Sequence, residues 1–104
     1  MPFFQKPVVK YGFSYQSGNP NVEARIFCEH EGGGSVIEFF KSAIPPNKFL
    51  LGGVSIHYPI AYFNDIISLL RYEKPISLFL NDADLIGGLT SAGTGEPVGE
   101  QEGV

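Results

Sequence analysis

Two alternating runs joined by glycines constrain this chain more than any other feature. From about Val22 to Glu31, the residues Val22, Ala24, Ile26, Cys28 and His30 share one side of a period-two pattern. Glu23, Arg25, Phe27 and Glu29 take the other. From about Ser35 to Ser42, Val36, Glu38 and Phe40 alternate with Ile37, Phe39 and Lys41. "EGGG" stands between the two runs, and its glycines supply the positive-φ positions of a tight turn. The pattern predicts an antiparallel hairpin.

The same alternation runs from Val8 to Gln16, with Val9, Tyr11, Phe13 and Tyr15 on one side and Lys10, Gly12, Ser14 and Gln16 on the other. "SGNPN" (17–21) then predicts a turn. "IPPN" (44–47) ends the hairpin's second strand, because proline donates nothing to a ladder. Phe49 to Tyr58, apolar on both sides of the pleat, predicts a fourth strand, with a bulge or bend at Gly52 and Gly53.

After Pro59, Ile60, Phe63, Ile67 and Leu70 recur at helical spacing, and Asn64, Asp65, Ser68 and Arg71 fall opposite. This predicts an amphipathic helix of about 14 residues, roughly 20 Å long at 1.5 Å per residue. Arg71 and Lys74 suit its C-terminal end, and Pro75 stops it. "ISLFL" (76–80) reads as a strand buried on both faces, "NDAD" as a turn, and "LIGGL" (85–89) as a last short strand.

The expected fold is therefore α+β, in the order β-β-β-β-α-β-β. It consists of a mainly antiparallel sheet of about five to six strands with one helix packed on one face. Residues 1–90 form a single domain. Residues 91–104 form a flexible, acidic, glycine-rich tail carrying Glu96, Glu100 and Glu102 and no basic residue. The net charge is −4, and removing the tail leaves eight acidic and seven basic side chains. A nearly neutral body relies little on charge repulsion to stay monomeric. One helix covers too little of strands that look apolar on both faces, so a second copy of the chain is expected to cover the rest.

The chemistry is sparse. One cysteine excludes an intramolecular disulfide. "MPFFQKPVVK" lacks the cationic start and apolar run of a signal peptide, and no stretch reaches the roughly 20 apolar residues that span a bilayer. A cytoplasmic protein with no membrane association is expected. "CEHEGGGS" (28–35) is the most suggestive stretch, but alternation sends Glu29 and Glu31 away from Cys28 and His30. A metal site would need Cys28, His30, His57 and a borrowed carboxylate to converge. A phosphate loop needs a Gly-Lys pair, which the chain lacks, and a dinucleotide fingerprint needs a glycine where Ile37 stands. "NDAD" lacks the further ligands of a calcium loop.

The leading expectation is a small non-enzymatic protein without cofactor, acting through protein–protein contact as a homodimer. Its expected interface is the aromatic row Tyr11, Phe13 and Tyr15. One alternative is single-stranded nucleic-acid binding on the same aromatics, disfavoured by the scatter of Lys6, Lys10, Arg25, Lys41, Lys48, Arg71 and Lys74 among acidic residues. A second alternative is a small-ligand or metal role around Cys28, His30 and His57.

Overall fold

Val22, Ala24, Ile26, Cys28 and His30 are all buried in one unbroken strand, as their alternation requires. The computed structural model describes residues 3–73 and 75–91. Its elements are β1 (Phe3–Pro7), β2 (Lys10–Tyr15), β3 (Val22–His30), β4 (Gly33–Phe40), β5 (Lys48–Leu50) and β6 (Gly53–Pro59). A 3₁₀ turn (Ile60–Tyr62), α1 (Phe63–Tyr72), β7 (Ser77–Asn81) and β8 (Gly87–Thr90) follow. Lys74 and the acidic tail beyond Ser91 lie outside the described residues.

The β3–β4 hairpin forms where expected. His30 faces Gly33 across a two-residue turn, and the positive φ (90°) falls on Gly32. The α+β class holds, with mostly antiparallel pairing, but the strands number eight and divide into two sheets. One has the order β2-β3-β4-β6-β5 and the other β1-β7-β8.

Two differences from the expected order have clear causes. The single strand expected over 49–58 is a hairpin, β5 and β6, with Leu50 opposite Gly53. Leu51 and Gly52 form its turn; Gly52 takes φ 83° and Leu51 is wholly exposed. The apolar residues on both sides of the pleat belong to two strands, so they never shared one pleat. The second difference is β1, a five-residue strand too short to alternate visibly, which exists because β7 gives its backbone a partner.

β6 runs parallel to β4, with Ile37 beside Ile56 and Phe39 beside Tyr58. The loop through Pro45 and Pro46 carries the chain to the outer edge, and β6 returns between β4 and β5.

A second layer covers one face of the five-stranded sheet. Phe63 of α1 meets Phe39 at 5.1 Å, Phe4 of β1 meets His30 at 5.1 Å, and Leu78 and Leu80 of β7 join the same buried cluster. Phe39, Ile26, Ile37, Ile56, Leu78 and Leu80 are fully buried. Each such side chain contributes about 1.5–3 kcal/mol relative to exposure.

The 3₁₀ turn and α1 together make the 13-residue helix starting after Pro59, whose φ of −63° suits that position. Phe63, Ile66, Ile67 and Leu70 face inward. Glu73 takes an extended conformation and ends the helix. "NDAD" turns the chain through its side chains: Asn81 Oδ1 accepts from the Ala83 N–H, and Asp84 Oδ1 from the Ile86 N–H. Among the described residues no helix is long and apolar enough to cross a membrane.

This second layer removes the premise on which a covering second copy was expected. The apolar sides of β6 and β7 are covered within the chain. The opposite face of the five-stranded sheet carries Ser14, Arg25, Glu38 and His57 in one row across its strands and Gly12, Phe27, Val36, Ser55 and Lys48 in the next. The loop carrying Pro45 and Asn47 already covers Ser55 and His57 on this face, and the remaining mixture of charged, polar and isolated apolar residues needs no further apolar layer.

The parallel start of β4 and β6 depends on glycine. A Cβ at Gly53 would fall against the Gly34 carbonyl oxygen, whereas a Cβ at Gly34 would meet nothing closer than the Cys28 oxygen at 3.5 Å. Gly53→Ala is expected to cost about 1–3 kcal/mol in urea melts. Gly34→Ala, one strand away, should fall within about 0.5 kcal/mol of the parent.

Candidate functional site

Tyr11, Phe13 and Tyr15 lie opposite Cys28, Ile26 and Ala24, and so share the face on which α1 packs. Their position at the sheet edge leaves them only partly covered: Phe13 is 53% and Tyr15 64% exposed. Both rest on the first residue of the helix, since Phe63 lies 6.0 Å from Phe13 and 4.8 Å from Tyr15. They are exposed rings held in place by packing. Tyr11 is half-buried beside Arg71 at the end of α1. Interaction with the phenol groups of Tyr11 and Tyr72 holds the Arg71 pKa above its ordinary value. Tyr11 and Arg71 flank a cleft of about 290 Å³, floored by Val8, Leu70 and Ile76.

The backbone of β2 is open on its outer side. The Gln16 N–H bonds to the carbonyl of Glu23, which continues the β2–β3 register one step past the Tyr15–Ala24 pair. In an antiparallel ladder such bonded residues alternate. Lys10, Gly12 and Ser14 therefore turn their N–H and C=O groups toward β3, and Tyr11, Phe13 and Tyr15 turn theirs outward. The phase slips only at Val9, before the strand begins, where its N–H reaches the Glu29 carbonyl.

The other three edges are blunted in familiar ways. β1 ends in Lys6 and Pro7, β5 is three residues long and begins with Lys48, and β8 is four residues long with a Gly-Gly pair. β2 has six residues and no proline, and its one charge, Lys10, sits at the end.

Cys28, His30 and His57 are not brought together. Cys28 and His30 face the core from β3, and His57 lies on the opposite face of the sheet beside Glu38. Among the described residues no group of three or more His, Cys, Asp or Glu side chains is placed to hold a metal ion.

Each of the three has a local role. Cys28 is 1% exposed, and burial pushes its thiol up to about 12. His30 Nδ1–H donates to the Glu31 carbonyl at 3.1 Å and its Nε2 accepts from the Ser35 hydroxyl at 2.7 Å. That hydroxyl oxygen accepts in turn from the Val54 N–H at 2.9 Å. His57 repeats the pattern: Nδ1–H to the Pro45 carbonyl at 3.1 Å and Nε2 from the Ser55 hydroxyl at 2.8 Å. Glu38 Oε1 lies 3.6 Å from the same Nε2, and its Oε2 accepts from Arg25 Nε at 2.7 Å.

These His–Ser pairs were not foreseen. Their signal in the sequence is weak: polar residues at core-phase positions, such as His30 and Ser35, must find partners. Because both ring nitrogens are engaged and both serines are buried, the pairs close off polar groups rather than present a nucleophile.

Compared with known proteins, the chain matches no family model, no curated protein and no solved structure.

The buried thiol makes a pH prediction. Folding raises its pKa, so its contribution to stability holds below the usual thiol value of 9.0 and is lost as pH climbs toward about 12. Tyr58, raised likewise by burial, adds to the same alkaline loss. A thiol reagent at pH 8 is expected to label Cys28 only as urea unfolds the chain. Cys28→Ala should reduce, without abolishing, the fall in stability between pH 8 and pH 11.

Proposed function

We propose that this protein works through protein–protein contact rather than chemistry, as a homodimer joined at the edge of β2. One observation carries the reading. β2 offers outward-facing backbone groups at Tyr11, Phe13 and Tyr15, and the same residues carry aromatic rings on the helix side of the sheet. An added strand would satisfy those groups and cover those rings at once, which is how strand addition combines affinity with specificity. The setting of this reading is the cytoplasm, where a lone thiol stays reduced.

The nucleic-acid reading uses the same rings but lacks the charge. Arg25 is occupied by Glu38, and Lys6, Lys41 and Arg71 belong to three different elements or loops.

Light scattering at tens of micromolar is expected to give twice the 11.3 kDa of one chain. Replacing both Tyr11 and Tyr15 with Ser should weaken the dimer by about tenfold or more, with the circular dichroism unchanged. A parent that stays monomeric overturns the reading. Salt-sensitive polarisation of a labelled oligonucleotide by that monomer would favour nucleic acid instead.

A further inference from the structure

Resting on β2 as the contact edge, we infer that its partner is a second β2 in antiparallel register, with the two-fold axis passing through Phe13. Two constraints restrict the choice. Residues directly opposite in an antiparallel pair share a face of the sheet. Tyr11, Phe13 and Tyr15 face the helix side in each copy, so in a continuous sheet odd-numbered residues must oppose odd-numbered ones. The backbone phase demands the same pairing, because only the odd-numbered residues turn their N–H and C=O groups outward.

The axis must then pass through a residue rather than between two. With Phe13 on the axis, three pairs close: Tyr11 with Tyr15 of the partner, Phe13 with its own copy, and Tyr15 with Tyr11 of the partner. An axis through Gly12 or Ser14 leaves one of these three residues unmatched within the strand. The Phe13 register also sets Lys10 opposite Gln16 of the partner, so no like charges meet.

The exposure of the rings fits this arrangement. Phe13 and Tyr15 lean on Phe63 with their outer sides open. In the paired sheet the two helices lie on the same face, one to each side of the axis. The six aromatic side chains then fill the space between them. Cross-strand aromatic pairs of this kind each add to sheet stability. The partner is a second copy rather than a foreign strand because one segment supplies both halves: the hydrogen-bond phase, the aromatic face and the charge spacing all match themselves.

Single cysteine variants read the register directly. A disulfide needs Cα atoms about 4.4–6.8 Å apart, and a hydrogen-bonded antiparallel pair sets them at about 5.5 Å. Phe13→Cys is expected to give a disulfide-linked dimer under mild oxidation. Gly12→Cys and Ser14→Cys should not, because each lies two positions out of register with its own copy. Mixing Tyr11→Cys with Tyr15→Cys should yield a mixed disulfide, which guards against the loss of Phe13 itself weakening the dimer. Buried Cys28 leaves the parent as an uncrosslinked control.

Linkage through Gly12→Cys or Ser14→Cys in place of Phe13→Cys overturns the register and leaves the dimer standing. A dimeric mass with no linkage at any of these positions places the contact elsewhere and overturns the inference. A monomeric parent removes the proposed function together with it.

Discussion

The whole arrangement turns on two glycine-lined hairpins whose turns lie side by side. β4 and β6 run parallel in register, Val36 beside Ser55, so Gly33 and Gly34 lie along Gly52 and Gly53. The Gly34 carbonyl occupies the space that a side chain at Gly53 would need. Only backbone fits there. That approach lets β6 enter between β4 and β5, which puts Ile56 beside Ile37 and Tyr58 beside Phe39. The same strand then runs through Pro59 into the helix, which places Phe63 on Phe39 and against the edge aromatics.

Buried polar groups are matched along the same seam. The Ser35 hydroxyl donates to His30 and accepts from the Val54 N–H, which ties β3, β4 and β6 together near the turns. Ser55 and His57 do similar work on the other face, where the Pro45 carbonyl and the Asn47 side chain hold the connecting loop onto β6. Left without partners, such groups would each cost about 1–3 kcal/mol. Among the described residues no buried side-chain nitrogen or oxygen lacks a hydrogen bond. The histidines that looked like chemistry in the sequence serve as connectors.

Period-two alternation was legible wherever a strand was long and covered on one face. β3 follows its pattern residue for residue, and the helix buries three of the four apolar positions its spacing marked, with Ile60 half-covered. Legibility failed where pairing depended on distant chain. "FFQKP" becomes a strand only because β7, some seventy residues on, lies beside it. "LLGG" hid a turn because apolar residues flank it on both sides, unlike the polar "EHEGGG" of the first hairpin. The split into two sheets follows from these two facts, and with it the cover that a second copy had been expected to supply. At the site, the shared face of Tyr11, Phe13 and Tyr15 was readable from alternation. Their place at an open edge was not, since it depends on which strand β3 leaves unpaired beyond β2. The separation of His57 from Cys28 and His30 was hidden for the same reason.

A long, unblunted edge is unusual among the four that the two sheets present, and the proposed self-pairing gives it a partner. Amide hydrogen exchange along β2, followed as protein concentration rises, tests this most directly. Gly12 and Ser14 should be protected at every concentration by their bonds to β3. Tyr11, Phe13 and Tyr15 should exchange quickly when dilute and become protected as dimers form. Fast exchange at those three amides in concentrated solution would contradict self-pairing.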